Sequence, residues 1–270
     1  MKKLINDIVI IRGGGDLATG IAHRLHRSGF KILILEIEKP LVIRRTVSFA
    51  QAVFDGSIVI DDVKAVKVTD INEVHENWRH GNIPILIDES CDILKHIKAN
   101  ILVDAILAKK NLGTHKSMAP ITIAAGPGFE AGVDVDVVIE TNRGHYLGSL
   151  IFDGFAQSNT GVPGIIMGFG KERVIKSPSD GIIRNIAEIG DIIKKDQIIA
   201  YVGDTPVIST LDGVLRGLIM DGMDVFTGLK IADVDPRAVV EHCYSISEKA
   251  RAIGGGVLEA ILYMKRMRSL

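Results

Sequence analysis

Cysteine is almost missing from this sequence. Cys91 and Cys243 stand far apart, with no C-x-x-C and no Cys/His ligand spacing, so neither a disulfide framework nor a zinc ribbon is encoded. An excess of either charge is missing too: 32 basic against 33 acidic residues give a net charge of -1, which removes the electrostatic footprint of non-specific nucleic-acid binding. No apolar run approaches the ~18 residues needed to span a bilayer, so no membrane role is expected. The opening Met1-Lys2-Lys3-Leu4-Ile5 imitates a signal n-region, but Asn6, Asp7 and Arg12 interrupt the apolar stretch that should follow. A reducing, cytoplasmic location is the expectation. Neither G-x-S-x-G nor H-E-x-x-H occurs and the eight histidines are scattered, so nothing points to nucleophilic or metal catalysis. Cys91 follows Ser90 near an expected strand-to-helix turn, a place that lowers a thiol pKa, although a buried structural thiol is the default.

What is present is a 47% apolar, 24% charged chain with 28 glycines and 8 prolines, typical of a folded globular protein. Its 270 residues exceed one average domain and suggest two. Asp7 to Ile11 and Lys31 to Leu35 are apolar and rich in β-branched residues, as strands buried on both faces must be. Between them Leu17, Ile21 and Leu25 share one helical face, and Gly29 supplies the stop. Further apolar strands are predicted at Ile83 to Ile87, Ile101 to Leu107, Ile121 to Ala125 and Val135 to Ile139, with helical or polar stretches between them at Ile71 to Trp78 and Cys91 to Ile97. The pattern predicts an α/β fold with a Rossmann-like, mostly parallel sheet over residues 1–165.

From about residue 166 to 237 the texture becomes short β-branched runs and Gly-Asp or Asp-Gly turns. An offset of 32 residues lays Asp180, Gly181, Arg184, Gly190, Ile199, Ala200 and Val202 on Asp212, Gly213, Arg216, Gly222, Ile231, Ala232 and Val234, which predicts two copies of one β-unit. The pattern resembles the barrel-sandwich hybrid of biotinyl and lipoyl carrier domains. The turn that would display the carrier lysine reads Gly203-Asp204-Thr205-Pro206, so swinging-arm chemistry is not expected. Residues 238–270 predict a helical segment, one helix or two, broken near Gly254-Gly255-Gly256.

The strongest local motif is Arg12-Gly13-Gly14-Gly15-Asp16-Leu17-Ala18, a G-x-G-x-x-A variant between a buried strand and an amphipathic helix. In that context the glycines would bring backbone amides to a pyrophosphate, and Glu36, at the end of the second strand, would accept hydrogen bonds from ribose hydroxyls. Asp16 opposes a phosphate placed there; Arg12, Arg44 and Arg45 offset it, bind phosphate themselves, or are solvated surface charges. Asp88 and Glu140 likewise follow apolar strands. Asp104 lies inside one, where a buried charge needs a partner such as Lys109 or Lys110. The segment Glu140-Thr141-Asn142-Arg143-Gly144-His145 concentrates polar groups after a strand: Arg143 could hold phosphate or carboxylate and His145 could move a proton, or the segment is a polar turn.

Together, Arg12 to Gly20, Leu35 to Pro40, Arg44-Arg45-Thr46, Val103 to Lys110, Glu140 to His145 and Lys230-Ile-Ala-Asp-Val-Asp-Pro-Arg237 resemble the YqeB-type accessory proteins of selenium-dependent molybdenum hydroxylase systems. The first part is also reminiscent of xanthine dehydrogenase accessory factors. What the resemblance implies is an accessory role in maturing a molybdenum hydroxylase client, holding NAD(P) or a molybdopterin-dinucleotide-type phosphorylated ligand. Self-association into a homo-oligomer stays open. The alternatives are an NAD(P)-dependent oxidoreductase using Arg143 and His145, and a scaffold with no nucleotide affinity.

Overall fold

A computed structural model describes residues 6–159, 161 and 163–269; the signal-like opening at Met1 to Ile5 lies outside the described residues. The chain divides into two compact units, Met1–Pro40, Ser48–Asn159 and Ile246–Leu270 forming one, Leu41–Val47 and Thr160–Ser245 the other.

In unit 1 the β-branched runs become β1 (Ile8–Arg12) and β2 (Lys31–Glu36), joined by α1 (Asp16–Arg27). A short helix α2 (Ala52–Asp55) leads into β3 (Ser57–Ile60), β4 (Val63–Val68), α3 (Ile71–His80) and β5 (Ile83–Ile87). The side chain of Asp70 caps α3 by accepting from the Asn72 and Glu73 amides, as an N-cap acid should. Then come β6 (Ile101–Asp104), β7 (Ile121–Ala125), β8 (Glu130–Ala131), β9 (Val137–Ile139), β10 (Leu150–Ile151) and β11 (Gly154–Phe155). Among the described residues nine strands form one sheet in the order β10-β9-β7-β6-β1-β2-β5-β4-β3, parallel except for the two edge strands, β10 and β3. The order turns back at β1, which lies between β2 and β6.

The Rossmann-like expectation is corrected here. A doubly wound sheet needs a helix in each crossover, yet between β5 and β6, and between β6 and β7, only the 3-10 turns Asp92–Lys95 and Lys116–Met118 occur, and no helix joins β7 to β9. The physical reason lies in the connecting sequences, Lys109-Lys110-Asn111-Leu112-Gly113 and Gly126-Pro127-Gly128, which carry no helical periodicity and turn through positive φ at Lys109, Gly113, Gly126 and Gly128. Strand β6 also stops at Asp104, three residues short of the predicted end, because Leu107 is itself left-handed.

The cover that the missing crossovers would have supplied comes from a distant helix, α4 in unit 1 (Glu248–Arg268). Val9, Ile11, Ile32 and Ile34 pack with Ile21 and Leu25 of α1 and Ile253, Val257 and Ile261 of α4 in one core. Ile10, Leu33 and Leu102 on the opposite face pack against Val74 and Trp78 of α3. The predicted break near Gly254-Gly255-Gly256 is also corrected, since α4 runs through without interruption. Two of those glycines, Gly254 and Gly256, are contact points: a Cβ on Gly254 would lie 2.6 Å from the Gly20 carbonyl oxygen, and one on Gly20 would lie 2.6 Å from Ala250. Gly256 meets the Gly148 carbonyl in the same way. Backbone-to-backbone approach of α1 and α4 offsets the helix-propensity cost of glycine.

Unit 2 contains two four-stranded antiparallel sheets. They are built from β12 (Val174–Lys176), β13 (Gly181–Asn185), β14 (Ile192–Ile193), β15 (Ile198–Val202), β16 (Thr205–Ile208), β17 (Gly213–Leu218), β18 (Asp224–Val225) and β19 (Lys230–Asp235). In chain order β13, β14 and β15 begin 32 residues before β17, β18 and β19. The orders are β12-β19-β17-β14 and β16-β15-β13-β18, so β14 of the first copy pairs in the sheet of the second copy and β18 in the sheet of the first.

The glycines of α4 separate two effects. Gly254→Ala should destabilise unit 1 by about 1–3 kcal/mol, the usual cost of overpacking. Gly255→Ala, where a Cβ meets nothing within 4 Å, should stabilise it by up to about 1 kcal/mol through helix propensity. Chemical denaturation of the two variants checks both signs.

Candidate functional site

The glycine loop is shaped by packing inside the protein. Gly13 has φ +92°, its amide donates to the Leu35 carbonyl at 2.8 Å, and a Cβ there would sit 3.0 Å from the Ala105 carbonyl oxygen. Gly14 lies against Ala50, whose amide donates to the Gly14 carbonyl at 2.8 Å. The Gly14 amide donates to Glu36 Oε2 at 2.7 Å. Gly15 caps α1 without a side-chain cap bond, and Asp16 opens the helix. Leu17 is half-buried against the core. The amide that a pyrophosphate would use is held by the protein's own carboxylate, so nucleotide binding by this loop is corrected along with the fold.

Arg12 ends β1 and is 6% exposed. Its Nη1 donates to Thr114 Oγ1 at 2.6 Å and lies 3.5 Å from Asp104 Oδ2, while Nη2 donates to the carbonyls of Glu89 and Leu112, each at 3.2 Å. Thr114 in turn donates to Asp104 Oδ2 at 2.6 Å. The partner of Asp104 is therefore Arg12, 92 residues away, and Lys109 is exposed. Burial pushes the Asp104 carboxyl above its ordinary value, while the Thr114 hydroxyl, the Ile106 amide and Arg12 pull the other way. Thr114 was not singled out from sequence; only its place after Asn111, whose side chain accepts from the Gly113 and Thr114 amides, marks it as part of a turn.

Beside this knot, at the carboxyl ends of β1, β2, β5 and β6, opens a cleft of about 660 Å³. Leu35, Ile37, Ile106, Leu112 and Met118 supply apolar walls, and Arg12, Glu36, Asp88, Glu89 and Ser90 supply polar groups. This is where the strand order reverses, the usual ligand position in open α/β sheets. Asp88 also accepts from the Asp92 and Ile93 amides. With Arg12 balanced by Asp104, the cleft carries acidic character from Glu36, Asp88 and Glu89. Burial raises the Glu36 carboxyl above its ordinary pKa, against the lowering effect of the Ile37 and Gly14 amides.

The other predicted residues lie elsewhere. Glu140 is 3% exposed and its two oxygens accept from the Asn142 and Gln157 amides at 2.6 and 2.8 Å, while the Asn142 side chain donates to Gln157. Arg143 is paired with Glu248, and the exposed His145 meets Tyr146 edge-on at 5.0 Å. This turn follows β9, about 14 Å from β1 by three strand spacings. Arg44 and Arg45 belong to unit 2, donating to the His242 and Leu218 carbonyls. Cys91 is buried, and burial pushes its thiol up to about 11, the reverse of an activated thiol. Among the described residues no group of three or more His, Cys, Asp or Glu is placed to hold a metal ion.

Three substitutions test this geometry. Arg12→Met leaves Asp104 buried without its cation and should cost about 3–5 kcal/mol of stability; replacing Asp104 by Leu in the same chain should recover most of it, read by denaturant titration. For Glu36, folding raises the pKa, so the stability tied to its proton is complete below the ordinary value of 4.5 and is lost as pH rises through the folded value. Glu36→Gln keeps an acceptor for the Gly14 amide without the buried charge. Its melting temperature should gain on the wild type as pH rises from about 4 to about 7; a difference independent of pH would contradict this.

No family model matches the chain. Three solved structures of low similarity are an ectoine utilization protein EutE from Ruegeria pomeroyi in a product-bound form (10% identity, TM-score 0.23, 79% of this chain and 61% of that one), an aspartoacylase family protein from Mesorhizobium loti (12%, 0.26, 85% and 84%) and a succinylglutamate desuccinylase from a Silicibacter species (13%, 0.25, 85% and 86%). None of the three is described as a Rossmann-like nucleotide-binding protein or a molybdenum hydroxylase accessory protein, and at these TM-scores they carry no argument about activity. By sequence the chain is similar to the uncharacterized protein YqeB of Escherichia coli, 51% identical over 259 residues that make up 96% of this chain and 48% of that protein. The similarity to YqeB thus runs along nearly all of this chain, which spans about half the length of that curated relative.

Proposed function

We propose that unit 1 is a ligand-holding module whose cleft takes the hydrogen-bond-donating end of a small molecule, a flat heterocycle bearing amino groups, in place of a diphosphate. The observation that carries this reading is Glu36, which lines the cleft while occupying the Gly14 amide. Each Glu36 oxygen accepts one backbone amide and keeps a lone pair for a ligand N–H. Leu35, Ile106 and Met118 suit the faces of a ring. Handing such a ligand to a client enzyme, the accessory role implied by the sequence resemblance, is the setting we propose for it. The oxidoreductase alternative gains no support, because Arg143 and His145 are removed from the cleft and Arg143 is paired with Glu248.

Calorimetry with pterin and with guanine tests the reading. Binding to the wild type should weaken about tenfold or more in Glu36→Ala, the weight of a charged hydrogen bond, and NAD should not compete. NAD binding that is indifferent to Glu36 would overturn it.

A further inference from the structure

Helix α4 has two sides of different chemistry. Ala250, Ile253, Val257, Ala260, Ile261 and Met264 point into the core of unit 1. The opposite side carries two rows at i, i+4 spacing, Leu258-Leu262-Arg266 and Glu259-Tyr263-Met267, all exposed except the half-buried Leu258. A helix face turned to water is ordinarily polar, and α3 obeys this: its exposed residues are Asn72, Glu73, His75, Glu76, Arg79 and His80. On α4, by contrast, Leu262 is 52% exposed, Tyr263 44% and Met267 63%. Phe152, also exposed, lies against Tyr263 with ring centroids 4.9 Å apart and widens the apolar surface. Contiguous apolar surface with a polar rim marks an interaction site. Beside the rows is a shallow depression of about 440 Å³ between Arg24 of α1 and Gly255, Leu258 and Leu262 of α4. Gly255 keeps it open, since a Cβ there would meet nothing within 4 Å.

The order of residues along this face points to what covers it. About the peptide joining Leu262 to Tyr263 the run has the same chemistry in both directions: Leu262 answers Tyr263, Glu259 answers Arg266 and Leu258 answers Met267. A second α4 laid antiparallel on the first, with a two-fold axis through that point, would place apolar on apolar and each Glu259 beside the other copy's Arg266. A two-fold contact has to be self-complementary in this way. Parallel alignment would set Glu259 against Glu259 and Arg266 against Arg266, so charge selects the antiparallel order. The i, i+4 rows are also the ridges that interdigitate when two helices cross at about −50°. Both charges are available for the purpose. Among the described residues neither Glu259 nor Arg266 is ion-paired, and at about two turns apart they are too distant to pair within one helix. Their basic neighbours Lys265 and Arg268, by contrast, are held by Asp7 and Asp136 within unit 1. Met267, unbranched and adaptable, suits the depression beside Leu258.

We propose that this face of α4 is a homodimer interface, covered by the same face of a second copy of the chain in antiparallel order. It offers far fewer side chains than the roughly 20–30 residues a side of a standard interface, so the dimer is weak and concentration-dependent. None of the cleft residues belongs to it, and Glu36→Ala should leave dimerisation unchanged.

Sedimentation equilibrium of the full chain, at loadings up to about 0.5 mM as a small interface requires, should show monomers in exchange with dimers. Glu259→Arg opposes like charges at two symmetry-related places and should weaken the dimer about tenfold or more; Arg266→Glu should do the same. The chain carrying both exchanges restores the two pairs and should dimerise within about threefold of the wild type. Leu262→Asp should be monomeric throughout. All three positions are exposed on the helix surface, so the monomer fold is kept. A wild type that stays monomeric would leave the face to a different partner and overturn the proposal, as would a dimer indifferent to Glu259→Arg or a double exchange that fails to recover it.

Discussion

A guanidinium buried at the end of the first strand is the constraint on which unit 1 depends. Arg12 cannot be left alone in an apolar interior, and its acceptors come from well-separated parts of the chain: Asp104 at the end of β6, Thr114 beyond it, and the carbonyls of Glu89 and Leu112. Satisfying one cation therefore fixes two long connections that contain little regular structure. The cleft is a by-product of that arrangement. Arg12 lines it, and its acidic character arises because that cation is already paired with Asp104, so Glu36, Asp88 and Glu89 meet whatever enters without a free positive charge from Arg12.

The same logic explains what the sequence revealed. Strand β1, helix α1 and strand β2 were legible because each has a local period, of two or of 3.6, that one short window contains. Glu36 was legible as a strand-end acid, but its occupation of the Gly14 amide was not, since a glycine-rich turn reads alike whether its amides face a phosphate or a side chain. The Arg12 and Asp104 pairing spans 92 positions, and no spacing rule reaches so far. Gly254-Gly255-Gly256 misled for a related reason. Propensity treats glycine as a breaker, whereas Gly20 and Gly148 opposite them in space make two of the three necessary in an intact helix.

The repeat in unit 2 shows how one pattern can serve two environments. Its period was visible in the identities between Asp180 and Val234, and β13 to β15 and β17 to β19 follow that offset. The exchange of short strands between sheets was not, because β14 and β18 are two-residue elements whose pairing partners lie in the other copy. Arg184 and Arg216 are equivalent by count and opposite in surroundings. Identity within a repeat preserves the backbone plan, while the added strap at Leu41–Val47 changes what the same side chain encounters.

That strap also has a bearing on synthesis. The ribosome delivers it immediately after the first two strands, long before the sheet that receives it exists, and the helix that seals the first core emerges only after the second module is finished. Neither unit is a continuous piece of polypeptide, so early segments must wait unsheltered for late ones. Neither unit can bury its full core until its late segments have been made, which lengthens the interval during which apolar strands are exposed.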